Sequence, residues 1–467
     1  MPSNASLVIR AEIAARPEML GLVMGTISEQ GAETGGVDTV RSTKESVVRD
    51  ITVYTRDDET ADAVVEALQG MEGVEVLEVT DRVFQAHEGG KMTMRNRAAL
   101  KSRDDLSMAY TPGVARVCMA IHDDFERAWD LTIKGNSVMV VSDGSSVVGQ
   151  GDLGPLAALP VCEALCMFMR ELAGIDAFPL PVATKDPAEI CTHLARISSV
   201  FAGIHLADIA APQCFEVLKD LGARVDIPVF HGDQEGTAAS LLAGLLNGLK
   251  VAGKELRNAR VVVCGLGPGG QSTVRLLAAA GVGEVLACDR RGAVHTGRAD
   301  MDERLQWIAD HTNPEGRTGS VHELIRGADA FIGLSVPGLL SADDIASMAP
   351  DPVVFALAMP TPELDPAEAG AAAVYGTGRP DLPNQINSSL AFPGIWRGAI
   401  DCRATRINDA MVMAAANAIA HVVEEEGVLS ADYVVPSVFN KRLVPAVASA
   451  VRVAAVASGV ARLTTLA

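Results

Sequence analysis

The stretch VVVCGLGPGG, residues 261–270, constrains the fold of this chain more than any other. An apolar run closes on Gly265, Gly267 and Gly270 in the spacing G-x-G-x-x-G, the helical pattern QSTVRLLAAAG follows, and the next apolar run, EVLACDR, carries Asp289. That acid lies about 20 residues beyond the glycines, as a dinucleotide fingerprint requires. The first glycine permits a tight turn, the second lets the backbone approach a pyrophosphate, and the third lets the helix pack closely on the sheet. The helix N-terminus offers the phosphates free N–H groups and a partial positive charge. Asp289 stands where a carboxylate accepts hydrogen bonds from a ribose 2′-OH, which favours NAD; Arg290 and Arg291 are the residues that would instead answer a 2′-phosphate, making NADP the less favoured cofactor. With the later runs AFIGLS, PVVFALA and AAVYGTG, residues 241–467 read as a doubly wound Rossmann-type NAD-binding domain.

The start of the chain has a different rhythm. SLVIRAEIA, VDTVRST, VVRDITVYT and VEVLEVTDRVF read as strands, PEMLGLVMGTISEQG and ETADAVVEALQGM as helices, with Pro17 and Gly31 bounding the first helix. The order βαββαβ is a split βαβ unit over residues 1–86. It resembles an ACT domain, and that resemblance implies a small effector, with a spacer or oligomerisation role as the alternative. Between the two ends, residues 87–240 begin with a polar stretch to Cys118 and continue with runs such as SVMVVSDG and DAFPLPV alternating with helices, an α/β pattern with a partly parallel sheet.

Composition excludes several classes. A formal net charge of -20 argues against nucleic acid, whose affinity comes mainly from clustered Lys and Arg. None of the eight cysteines forms a C-x-x-C pair, and several lie in apolar runs where a thiol packs as a small hydrophobe, so a reducing cytoplasm is expected. The N-terminus lacks an unbroken apolar core, which argues against a signal peptide. The longest apolar tract, VPAVASAVRVAAVASGVARL, is interrupted by Arg452 and reads as a buried helix rather than a membrane span.

Long stretches of the chain, among them RDDLSMAYTPGVARVC, LTIKGNSVMVVSDG, IPVFHGDQEGTA, LPNQINSSLAFPGIWRGAIDCRAT and DYVVPSVFNKR, resemble the bacterial malic enzymes. The resemblance implies a metal- and substrate-binding domain over residues 87–240, the NAD-binding domain after it, and assembly as a homodimer or larger. It also implies oxidative decarboxylation of malate with a divalent cation. That chemistry needs a base for the hydroxyl proton, a hard cation beside the oxygen that becomes a ketone, and an acid for the enolate. Carboxylate oxygens suit Mg²⁺ or Mn²⁺. Tyr110 stands at the family's acid, Asp208 and Asp233 at two metal ligands, and Asn387 at a substrate-binding asparagine.

Other positions depart from the family pattern. Leu165 stands where the family carries its lysine base, Ala207 where it carries a metal-binding glutamate, and Gly232 where it carries the first of two adjacent aspartates. Met359 and Ser388 replace substrate-holding asparagines, leaving Ser388 beside Asn387 as the substrate pair, and Glu235 adds a carboxylate near the metal turn. The expectation is an NAD-dependent oxidoreductase of malic-enzyme type that is weak on malate or redirected to a related small hydroxy or oxo acid, with its cation weakly bound. The alternative is a homologue that binds NAD without turnover and serves a regulatory or partner role.

Overall fold

The computed structural model describes residues 5–465, and the chain divides into two compact units between Thr93 and Met94. In the first unit the order is β1 (Ala5–Ala14), a helix Met19–Glu29, β2 (Glu33–Ser42), β3 (Ser46–Thr55), a helix Asp58–Gln69 and β4 (Val74–Asp81). The strands pair antiparallel in the order β2-β3-β1-β4, with both helices on one face. Alternation in β1 turns Leu7, Ile9, Ala11 and Ile13 inward. They meet Met19, Val23 and Ile27 from one helix and Ala61, Val64 and Leu68 from the other in a single core. The run VEVLEVTDRVF does not stay extended to its end. The Asp81 carboxylate accepts from the backbone N–H groups of Val83 and Phe84 at 2.7 and 3.1 Å and caps a short helix Arg82–His87, because a side-chain acceptor there offers the backbone more than an unpaired strand end does. Ile9 is fully buried in the central strand, so Ile9→Ala should cost about 2–5 kcal/mol, read as faster hydrogen exchange across β1 and β3 with exchange in the second unit unchanged.

The second unit contains two sheets. The first joins β5 (Ser137–Val141), β6 (Asp176–Pro179), β7 (Gly203–Leu206) and β8 (Val229–His231), all parallel, in the order β6-β5-β7-β8. The second joins β9 (Arg260–Cys264), β10 (Glu284–Asp289), β11 (Gly292–Ala293), β12 (Ala330–Gly333), β13 (Val353–Ala356) and β14 (Val374–Thr377) in the order β11-β10-β9-β12-β13-β14. Only β11 runs antiparallel to its neighbour. Strands covered on both faces read as unbroken apolar runs rather than alternations; all five residues of β5 are buried. The strand order reverses beside β9, and ligands of such sheets bind outside the carboxyl ends at that point. The nucleotide helix begins at Pro268, three residues before the apolar periodicity does, because proline at the first helical position loses no hydrogen bond.

The apolar tract near the C-terminus forms the helix Leu443–Ala457, which buries Val444, Val447, Ala448 and Val451. Among the described residues no helix is long and apolar enough to cross a membrane. The polar stretch before β5 folds into the helices Arg103–Ala109 and Gly113–Asp123, neither of which buries a side chain.

Candidate active site

At the end of β9 the chain turns through Gly265 with φ +97°. A Cβ there would lie 2.2 Å from the carbonyl oxygen of Leu334, and one on Gly270 would lie 1.8 Å from that of Gly265. The turn therefore closes only with glycine at both positions. Gly267, at the N-terminus of the helix Pro268–Ala279, faces open space, a cradle that a pyrophosphate fits without meeting a side chain. One strand over, Asp289 is engaged by a residue the sequence pattern did not single out. Its carboxylate pairs with Arg298 at 2.7 Å and accepts from the backbone N–H of Arg291 at 2.8 Å. Arg298 and Arg291 also both pair with Asp300, so of the two arginines that would answer a 2′-phosphate, Arg291 is already matched by an acid.

The second cluster forms where β5, β7 and β8 end side by side. Asp208 follows β7 in the left-handed region at φ +54°. Its backbone N–H donates to Asp233 Oδ2 at 3.0 Å, which joins the two acids. Asp208 Oδ2 is buried without a hydrogen-bond partner, and burial, reinforced by the charge of Asp233, pushes its carboxyl up to about 7. Asp233 lies on the wide helical turn Gly232–Gly236, with His231 Nδ1 3.7 Å from its Oδ2. Glu235, on the same turn, accepts from the backbone N–H of His231 at 3.1 Å, and burial raises it too, to about 7. Among the described residues no three acidic, histidine or cysteine side chains converge as a metal-holding group. Two carboxylates, one with an orphaned buried oxygen, still fit the manner in which Mg²⁺ is held by one or two acids while water and substrate supply the rest.

The three altered positions have distinct surroundings. Leu165 is half-buried on the helix Pro155–Ala173. Cys162, one turn earlier, is pushed up to about 12 by burial and by the charge of Asp208, which brings this helix against the carboxylate turn. Both Cys162 and Cys166 are buried thiols held in the protonated form and act as packing. Ala207 is buried beside Asp208 and supplies no ligand. At Gly232 a Cβ would approach His205 Nε2 to 2.8 Å. His205 fills the volume that a side chain at 232 would need. Trp396 Nε1–H donates to His205 Nδ1 at 3.0 Å, with Phe230 and Phe392 rings 5.6 and 5.1 Å away. Burial drives its imidazole down to about 3, so it is too weak a base, and too enclosed, to replace the missing lysine.

The structure brings some expected site residues together and leaves one apart. The loop bearing Asn387 and Ser388 packs on the carboxylate turn, since Ser240 Oγ donates to the Asn387 carbonyl at 2.8 Å and the Ser388 Cβ would sit 3.1 Å from a Cβ at Gly236. The nucleotide helix packs there as well, with a Cβ at Gly269 meeting the Asp233 carbonyl oxygen at 3.1 Å. Tyr110 stands away. It follows the helix Arg103–Ala109, is 67% exposed, and its hydroxyl has no hydrogen bond among the described residues. Two site groups were not anticipated. Asp143 at the end of β5 and His231 at the end of β8 are buried with side-chain atoms that have no partner. The rule that ligands meet the carboxyl ends of parallel strands, applied to the SDG after β5, would have found the first.

Residues 89–194 match the domain described as "Malic enzyme, N-terminal domain" and residues 234–458 that described as "Malic enzyme, NAD binding domain". The chain is similar to the NAD-dependent malic enzyme of Geobacillus stearothermophilus, 47% identical over 99% of this chain and 97% of that one. It is also similar to the bifunctional malic/malolactic enzyme of Bacillus subtilis, 46% identical over 80% of this chain and 92% of that one. Among solved structures, the NAD-dependent malic enzyme of Thermotoga maritima superposes with a TM-score of 0.76 at 38% identity, over 80% of this chain and 99% of that one. The malic enzyme of Entamoeba histolytica gives 0.79 at 38% identity over 82% of each chain. The glycine turn, the paired aspartates and these likenesses over nearly the whole length agree: the chain belongs to the malic enzyme family.

Proposed function

We propose that this protein is an NAD-dependent oxidoreductase acting on malate or a related small hydroxy acid, with turnover on malate well below that of a family member holding the full set of acids and bases. The observation that carries this reading is the pairing of Asp208 and Asp233 against the start of the nucleotide helix. Gly265, Gly267 and Gly270 shape the pyrophosphate cradle, and Asp289, steadied by Arg298, receives the ribose. Asp208 and Asp233 would hold Mg²⁺ or Mn²⁺, weakly, since Ala207 contributes no oxygen. When bound, NAD supplies the hydride acceptor and the cation a positive charge beside the substrate oxygen. Asn387 and Ser388 orient the substrate carboxylate, and Tyr110 delivers the proton to the product carbon. Leu165 takes no proton, so deprotonation of the hydroxyl falls to water, which lowers the rate by about 10² to 10⁴.

The division at residues 86 and 240 into effector-type, substrate and nucleotide domains belongs to this reading, as does a small effector on the N-terminal unit. A homodimer or larger assembly is part of it too. Leu106, Met108 and Met119 on two consecutive helices, with Tyr110 and Phe125 just after them, expose apolar surface that a second copy would cover while enclosing the tyrosine. The expected site of action is the cytoplasm.

The test is NADH formation with Mn²⁺ and a panel of small hydroxy acids, beside calorimetric NAD binding. Slow but measurable turnover on malate or faster turnover on another acid supports the proposal. A second reading, NAD binding without turnover, draws support from His205 occupying the space at Gly232. Tight NAD binding with no reduction on any acid would select it.

A further inference from the structure

A cleft of about 630 Å³ opens beside the carboxylate turn, lined by the helices Gln213–Arg224, Pro268–Ala279 and Glu303–His311. Its volume lies in the range of small-molecule sites. Two guanidinium groups line it, each laid on an aromatic face. Arg275 lies 4.4 Å from the ring centre of Trp307, and Arg304 4.6 Å from that of Phe215. Trp307 is itself stacked on His311 at 4.1 Å with planes 12° apart. Stacking of this kind holds a guanidinium in place while leaving its in-plane N–H groups free to donate.

The donors are not used up internally. Among the described residues neither Arg275 nor Lys219, which also lines the cleft, makes an ion pair. Arg304 pairs with Asp302 through Nη2 at 2.8 Å, yet its Nε–H is buried without a partner. Arg275 and Arg304 repel one another, and burial already presses on the charged form of Arg275. Two carboxyl groups also line the cleft. Asp409 attracts Arg275 without reaching ion-pair distance among the described residues, and Glu235 is tied to the backbone of His231. Two like charges fixed side by side, with a buried donor unanswered, are stabilised by a compact anion whose oxygens accept from both forks.

We propose that this cleft is a binding site for a small organic anion bearing a carboxylate or phosphate group, held by Arg275, Arg304 and Lys219. The site is separate from the catalytic carboxylates but shares the turn Gly232–Gly236 with them, through Gln234 and Glu235 on the cleft wall. It also spans the helix that connects β7 to β8 in the substrate sheet and helices of the nucleotide sheet. An anion there fixes the turn that carries Asp233 in relation to the nucleotide helix.

The probes are inorganic phosphate and succinate, titrated by calorimetry into the full-length protein saturated with NAD, so that the glycine cradle is occupied. Binding of either probe to the wild type, weakened at least tenfold in Arg275→Gln/Arg304→Gln and measurably in Lys219→Gln, supports the site; which probe binds separates phosphate from carboxylate recognition. Each variant must retain wild-type NAD affinity, which shows that it is folded. Lys219→Gln, at an exposed position, serves if the double variant does not fold. No binding of either probe, or binding unchanged in the folded variants, overturns the proposal. Because the readout is binding alone, failure here leaves the oxidoreductase reading untouched, and absence of turnover leaves this proposal untouched.

Discussion

Leu165→Lys combined with Ala207→Glu is expected to raise malate turnover by roughly 10²–10⁴ over the wild-type chain, the range a positioned base contributes, while adding Gly232→Asp to the pair should remove most of that gain. The first two changes put an amine one turn along the helix from Cys162, whose thiol feels the charge of Asp208, and a carboxylate next to Asp208 in the chain. The third behaves differently, because the Cβ of any residue at 232 comes within 2.8 Å of His205 Nε2. His205 has nowhere to retreat, being fully buried among Phe230, Phe392 and Trp396. Forcing a carboxylate into that volume distorts the turn carrying Asp233 at a cost of about 1–3 kcal/mol. Replacing His205 by Asn makes room and leaves an amide oxygen to accept from Trp396 Nε1–H, which would otherwise be a buried unsatisfied donor costing about 1–3 kcal/mol. The quadruple variant should therefore recover the activity that the triple variant lacks. Steady-state kinetics and melting temperatures of the double, triple and quadruple variants decide it. A triple variant as active and as stable as the quadruple one would show that His205 and residue 232 do not compete for space.

Gly270→Ala should cost both stability and NAD affinity, the latter by about 10²-fold, whereas Gly267→Ala should cost affinity alone. At Gly270 the added carbon would sit 1.8 Å from the Gly265 carbonyl oxygen. Gly265 cannot shift aside, since its own Cβ position already lies 2.2 Å from the Leu334 carbonyl oxygen. The strain of about 1–3 kcal/mol from overpacking opens the cradle, and about 3 kcal/mol corresponds to the stated loss in affinity. At Gly267 nothing lies within 4 Å, so the unliganded protein accepts the methyl group and only the approaching pyrophosphate meets it. Calorimetric titration with NAD and thermal unfolding separate the two effects. Wild-type NAD affinity in Gly267→Ala would mean that the pyrophosphate lies elsewhere.

Much of the fold was legible in the residues. Period-2 runs gave β1 to β4, and unbroken apolar runs gave the two parallel sheets, because burial on one face or on both imprints a different pattern on the chain. Less legible were features decided by competition between local groups. The end of β4 went to the Asp81 cap, and Asp289 acquired Arg298, nine residues on and outside any strand pattern. At the site, the glycine turn stood out because spacing and flanking elements define it and the aspartates through the family resemblance, while Asp143 and His231 did not, since each becomes a site group only when β5, β7 and β8 end side by side.

Taken alone, the order of residues pointed to the glycine turn by its spacing and to the family by resemblance, and that resemblance marked the three exchanges at 165, 207 and 232. It could not tell whether those exchanges are independent. Folding places His205, 27 residues before Gly232 in the chain, where a Cβ at 232 would lie, so that the exchange at 232 is tied to a neighbour distant in sequence. Excluded volume acts between atoms close in space, however far apart they lie in the chain, and only the tertiary structure records those distances.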